Sequence, residues 1–207
     1  MRAANGATLR LQDGVFANTY FDGTFTHQGQ ILAQDASFVE FNAATINGGS
    51  VGTAGSGRLR VTGSATFNGV NFGAGANLDA PNATSTTFSG TIKNQGTLNL
   101  NSVGNATDFI IASSGATFTG GGTVAMSNTT ANRIYGQTGT TTLVNVDNTI
   151  RGSGQLGLNQ LQLINSGVIQ ADQSQMLIID PVAGGVANTG LLAAASGGVL
   201  HFDTGRA

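Results

Sequence analysis

The stretch Asn165-Ser-Gly-Val-Ile-Gln-Ala-Asp-Gln-Ser-Gln-Met-Leu-Ile-Ile179 aligns without a gap on Asn188-Thr-Gly-Leu-Leu-Ala-Ala-Ala-Ser-Gly-Gly-Val-Leu-His-Phe202. The starts of these two copies define a period of about 23 residues. A third copy, His27-Gln-Gly-Gln-Ile-Leu-Ala-Gln-Asp-Ala-Ser-Phe-Val-Glu-Phe41, starts six such periods before Asn165. A second series agrees. Threonine followed by an apolar residue recurs at Thr24-Phe25, Thr45-Ile46, Thr66-Phe67 and Thr87-Phe88, evenly spaced at about 21 residues, with Gly48, Gly69 and Gly90 two positions beyond. Self-similarity at such a period marks a repeat architecture. A mean period near 22 divides the 207 residues into about nine units.

Inside each unit lie two or three short alternating runs, such as Thr97-Leu98-Asn99-Leu100 and Val199-Leu200-His201-Phe202, with Gly or Asn between them. Period two reads as half-buried strand, and nothing in the unit has the period or length of a helix. A unit of this size cannot bury its apolar face alone, so the units must stack. The expected fold is all-β: a parallel β-solenoid of about nine coils, about 21–23 residues per coil, forming a single domain over 1–207. Aligned repeats assign Leu177, Leu200 and Val39 to one inward column and Ile179, Phe202 and Phe41 to another, with Ile178, His201 and Glu40 outward between them. Phe25, Ile46, Phe67 and Phe88 form a further expected interior stack. Corners fall at Asn94, Asn165 and Asn188, with His27 in the equivalent place. Asn tolerates left-handed backbone and can hydrogen-bond along a ladder of turns. Gly29, Gly96, Gly167 and Gly190 are expected to supply positive φ there.

Composition supports this and removes other classes. Only 9% of residues are charged, against about 25% in ordinary domains, and 32 are glycine. Lys93 and Glu40 are the only lysine and glutamate, while Thr (26) and Asn (19) are abundant, a strand-and-turn composition. Apolar content of 40% with a net charge of −2 argues against disorder. Eight scattered basic residues leave no footprint for nucleic acid. No apolar run is long enough for a membrane-spanning helix. The absence of cysteine removes disulfide and thiolate chemistry.

Asn148-Thr-Ile-Arg-Gly-Ser-Gly-Gln-Leu-Gly157, followed by Leu161-Gln-Leu-Ile-Asn-Ser-Gly-Val-Ile-Gln-Ala171, resembles the passenger repeats of bacterial autotransporters and is similar to filamentous-haemagglutinin-type adhesins. The resemblance implies a right-handed β-helix, export to the bacterial surface or beyond, and a stalk or adhesive role. It also implies that the chain is a fragment of a longer protein that carries the export signal and anchor.

Residues with chemistry are sparse. Glycoside hydrolysis needs two nearby carboxyls, and Asp180 and Asp203 share a register one coil apart, with Asn42 expected in the same column. Arg58-Leu59-Arg60 places two guanidinium groups on one strand face, a candidate for an anionic glycan. His27 and His201 fall in different repeat positions about seven coils apart, too far to share a site. Tyr20 and Tyr135 are of a type that stacks on sugars, but two isolated tyrosines do not make a platform. Gly152-Ser-Gly154 reads as a coil corner, and neither a metal set nor a cofactor fingerprint is expected. The function expected is therefore non-enzymatic: a structural or adhesive segment of an extracellular or cell-surface protein, with host surfaces or glycans as partners. The alternative is a carbohydrate-active or glycan-binding β-helix of the polysaccharide lyase, hydrolase or phage-tailspike kind. Because 204–207 are too few to cap the last coil, end-to-end self-association is also expected.

Overall fold

Short alternating runs make the strands. In Arg58–Val61, Leu59 and Val61 are buried while Arg58 and Arg60 face outward. Thr97–Asn101 buries Leu98 and Leu100 in the same way. A run with one apolar face needs a neighbour, and the neighbour here is the equivalent run of the next turn. The computed structural model, which describes residues 1–203, is a parallel β-solenoid of about eight turns. Each turn has three sides. In one turn Gln162–Asn165 lies on face A, Val168–Ala171 on face B and Leu177–Ile179 on face C. The following turn stacks Val186–Asn188, Leu191–Ala194 and Leu200–Phe202 on them, in parallel. Every face holds nine strands joined by eight parallel pairings. Nine rungs at a spacing of ~4.8 Å make a rod roughly 38 Å long. No helix occurs among the described residues. Residues 204–207, the segment expected to be too short for a cap, lie outside the described part.

Face B carries an unbroken inward spine: Leu9, Val39, Leu59, Leu78, Leu98, Val124, Ile150, Ile169 and Leu192, paired rung to rung. The mean step along it is about 23 residues; Leu59 to Leu78 is among the shortest steps and Leu9 to Val39 is the longest. The average period is therefore legible in the sequence, while single turns lengthen by insertion. In the early turns the core is aromatic. Phe67 stacks on Phe88 at 6.0 Å between centroids, and Phe41, Phe72, Phe109 and Phe118 meet this pair edge-on at 5.0–6.5 Å. Later turns fill the same space with Leu143, Ile150, Leu156, Leu163 and Ile169.

Two corner devices recur. Between faces C and A, Gly48, Gly69 and Gly90 hold φ of 67°, 61° and 67°, a region that disfavours a Cβ. Between faces A and B, asparagines form a ladder, buried at Asn94, Asn145, Asn148 and Asn165 and exposed at Asn188 on the last described rung. Asn145 Nδ2 donates to Asn165 Oδ1 (2.8 Å), and Asn165 Nδ2 donates to Asn188 Oδ1 (2.7 Å). Asn94 Nδ2 reaches Asn148 Oδ1 at 2.9 Å. Gly29, Gly96, Gly167 and Gly190 do not have the expected positive φ. A Cβ at Gly96 would instead run into the carbonyl oxygen of Ala76, one at Gly167 into that of Asn148, and one at Gly190 into that of Gly167. Their role is close approach between successive rungs.

The register corrects several columns. Leu177 pairs with Leu200 and Ile179 with Phe202, as the repeat requires. Val39 and Phe41, however, lie on face B, paired with Leu59 and Val61, and Asn42 pairs with Gln12 rather than aligning with Asp180. The copy at 27–41 is thus displaced by one face, a third of a turn. Each face uses the same sequence pattern, a corner residue followed by inward side chains at every second position, so alignment cannot distinguish one face from the next. The parity survives: Val39 and Phe41 are fully buried and Glu40 points outward. Phe25 and His27 are displaced further. Phe25 is 68% exposed, and Phe16, not Phe25, stacks on Ile46. The corner that precedes Gln30 is turned by Asn18 instead of His27; Asn18 is buried and its Nδ2 donates to Ser50 O.

Candidate functional site: an aromatic hairpin on the solenoid

Between the first and second rungs the chain leaves the solenoid. Thr19–Phe21 and Thr26–Gln28 form the only antiparallel pair among the described residues, pairing Thr19 with Gln28, Tyr20 with His27 and Phe21 with Thr26. The local cause is readable. β-Branched and aromatic residues flank Asp22-Gly23, a turn dipeptide. Asp22 Oδ1 accepts the amide N–H groups of Thr24 and Phe25, both at 2.8 Å, and Gly23 takes φ 98°. Asp22 N–H donates to Phe25 O (3.2 Å), closing the loop. At the base, Gly29 N–H donates to Asn18 O (2.7 Å), so the insertion leaves and re-enters the corner at one point.

Alternation puts Tyr20, Asp22, Phe25 and His27 on one side of the ribbon and Phe21 on the other. Tyr20, Phe21 and Phe25 are 68%, 62% and 68% exposed. The Tyr20 and His27 rings lie within 22° of parallel, 6.3 Å between centroids. His27 Nε2 meets Asp22 Oδ2 at 2.7 Å. That bond first, and then the two loop amides, hold the Asp22 carboxyl below the usual carboxylate range. Elsewhere in the early turns Phe side chains are buried or half-buried, so three exposed aromatics on one short insertion stand apart. The Asp22-Gly23 dipeptide between β-forming residues is the signal that reveals this hairpin, and the regular Thr–apolar spacing masks it.

The other candidate residues are placed as follows. Asp180 and Asp203 follow the Ile179–Phe202 pair and sit on adjacent rungs of face C. Burial, and then the charge of Asp203, raise the Asp180 carboxyl above its ordinary range, and Asp180 Oδ1 is buried without a hydrogen-bond partner. Arg58 is exposed; Arg60 lies over the Phe38 ring at 4.7 Å. Register sets Arg60 between Glu40 and Asp79, and Glu40 itself pairs with Arg10 at 2.8 Å. The outward column Arg10, Glu40, Arg60, Asp79 therefore alternates in sign and has little net field. Tyr135 is held within a cluster: Arg133 grips Asp108 through two hydrogen bonds (2.6 and 2.7 Å) and lies 5.4 Å from the Tyr135 ring. Burial, then the Asp108 carboxylate, raise the Tyr135 hydroxyl. His201 is on the last described rung and His27 on the hairpin near the first, at opposite ends of the rod.

Comparisons with protein-family models, curated proteins and solved structures find no match. The class this fold defines is the parallel β-solenoid with a projecting hairpin. The likeness to autotransporter passengers rests on the repeat motif alone.

Proposed function

We propose that this chain is a non-enzymatic, adhesive β-helical segment of a secreted or cell-surface bacterial protein, of the autotransporter-passenger kind. The stack of rungs is the spacer, and the Thr19–Gln28 hairpin is the element presented to a partner. The observation that carries this reading is the exposure of Tyr20, Phe21 and Phe25 on a turn held by Asp22. Aromatic side chains on a pre-ordered loop are what interfaces use as anchors, because little entropy remains to be lost. Displaying the chain on a non-adherent bacterium tests it. Attachment to host-cell or glycan-coated surfaces is expected, and it is lost when Asn18 is joined to Gly29 without the hairpin. Equal attachment with and without the hairpin refutes the reading. The adjacent carboxyls Asp180 and Asp203 favour one rival, a polysaccharide-cleaving β-helix. Turnover of an acidic polysaccharide that disappears in Asp180→Asn and Asp203→Asn would establish that rival instead.

A further inference from the structure

A cleft of about 220 Å³ opens where the hairpin meets the solenoid, lined by Asn18, Thr19, Tyr20, His27 and Gln28. Its volume suits a single six-membered sugar ring. We infer that this cleft is a binding site for one uncharged pyranose residue of a glycan, deepening the adhesive reading on which it rests.

The chemistry of the walls sets the ligand class. The Tyr20 and His27 rings stack across the hairpin, near-parallel with centroids 6.3 Å apart, and Tyr20 remains 68% exposed. An aromatic face is electron-rich and meets the weakly positive axial C–H groups of a pyranose favourably. Gln28, by the same alternation, points from the opposite side of the ribbon and ties the hairpin to the next rung through Oε1, which accepts the Gly49 amide N–H (3.1 Å). The polar groups beside the rings have capacity left. Asp22 Oδ2 contacts only His27 Nε2, so one lone pair and the other ring nitrogen, Nδ1, remain for sugar hydroxyls. Tyr20 is mostly exposed, and its hydroxyl makes no bond within the described part. Within 19–28 there is one carboxylate, Asp22, and no lysine or arginine. Nothing on the hairpin therefore offers the guanidinium or ammonium partner that a sulfated or carboxylated sugar or an anionic lipid headgroup would need. The hairpin also falls well short of the roughly 20–30 residues per side that a standard protein interface uses. A neutral, polyhydroxylated ring fits the site; a broad protein surface does not.

The test uses the 207-residue chain and saturation-transfer NMR, with cellotetraose, chitotetraose and mannotetraose as neutral probes and heparin tetrasaccharide as the anionic one. At least one neutral probe should receive saturation and shift the Tyr20 and His27 ring signals. Tyr20→Ala should weaken that probe about tenfold or more, and Tyr20→Phe by no more than about threefold, since the ring face is retained. The Thr24 and Phe25 amide signals report whether the Asp22 turn persists in each variant, so a loss of binding with those signals unchanged is a loss of the platform itself. Three results overturn the inference: no neutral probe binding up to about 10 mM, binding undiminished in Tyr20→Ala, or binding confined to the heparin probe. Hairpin-dependent cell attachment combined with no binding to any sugar would sink the sugar site and leave the adhesive reading intact. Capture of vesicles or of a host protein by the hairpin has the same meaning.

Discussion

At the scale of the residue, position inward or outward decides cost. Phe67 is fully buried and packed against the rings of Phe41, Phe72 and Phe88, so Phe67→Ala should cost about 3–5 kcal/mol in urea unfolding. Leu200 shares the inward parity but lies half-buried on the last described rung, and Leu200→Ala should cost about 1–2 kcal/mol. His201→Ala, on the outward side of the same strand, should stay within ~0.5 kcal/mol. Equal losses would mean the register is wrong. Asp180 makes a pH-dependent contribution. Its folded carboxyl titrates above the ordinary value of 3.8, so the folded chain favours the protonated form. That advantage is complete below the unfolded value and is lost as pH rises through the folded one. Partial exposure screens the effect, so Asp180→Asn should stabilise the chain by up to ~0.5 kcal/mol near neutral pH and by nothing in acid. A uniform effect at both pH values would contradict the assignment.

At the scale of the element, two kinds of glycine separate. Gly69 has φ 61° and open space around a would-be Cβ, so Gly69→Ala should cost about 1 kcal/mol through backbone strain. Gly167 lacks positive φ, yet a Cβ there meets the Asn148 carbonyl and the Asn145 amide. Gly167→Ala should cost about 2–3 kcal/mol, the scale of overpacking. Thermal unfolding of both variants distinguishes these mechanisms, and the opposite ranking would reject them. The hairpin makes a converse case. Its two ends are already hydrogen-bonded through Gly29 N–H and Asn18 O, and its aromatic side chains are exposed. Joining Asn18 to Gly29 should leave the β-type circular dichroism and the unfolding midpoint nearly unchanged. A collapse of either would show that the insertion belongs to the core.

At the scale of the whole molecule, a rod of parallel rungs leaves strand edges at each end. On the last described rung Leu191 and Phe202 are 53% and 45% exposed, although Ile179, the partner of Phe202 one rung earlier, is fully buried. Prepared as these 207 residues alone, the chain should associate end to end as concentration rises, and Leu200→Lys should reduce that association. Sedimentation decides it: a strictly monomeric species up to about 1 mM would end the argument. The solenoid also predicts a far-ultraviolet spectrum with almost no helical component, which circular dichroism can check.

The sequence alone determined the short alternating strands of the solenoid, the inward or outward parity along its regular rungs and the approximate number of rungs. These depend on local properties: a period of two, corner residues such as Asn165 and Gly69, and a recurring unit whose mean length is regular. Leu59, Leu98 and Phe67 could be placed inside from their immediate neighbours. Only the tertiary structure decided which face each strand occupies, because the three faces share one pattern and differ solely in which strand lies above. The pairing of Val39 with Leu59 arises from hydrogen bonds across a turn, and turns as unequal as Leu9 to Val39 and Leu59 to Leu78 defeat a fixed spacing. The same limit hid the hairpin. An insertion after Asn18 moved Phe25 from an expected interior stack into solvent and put His27 beside Tyr20. That Tyr20 and His27 line a cleft against the solenoid corner, instead of packing inside it, is a product of that fold.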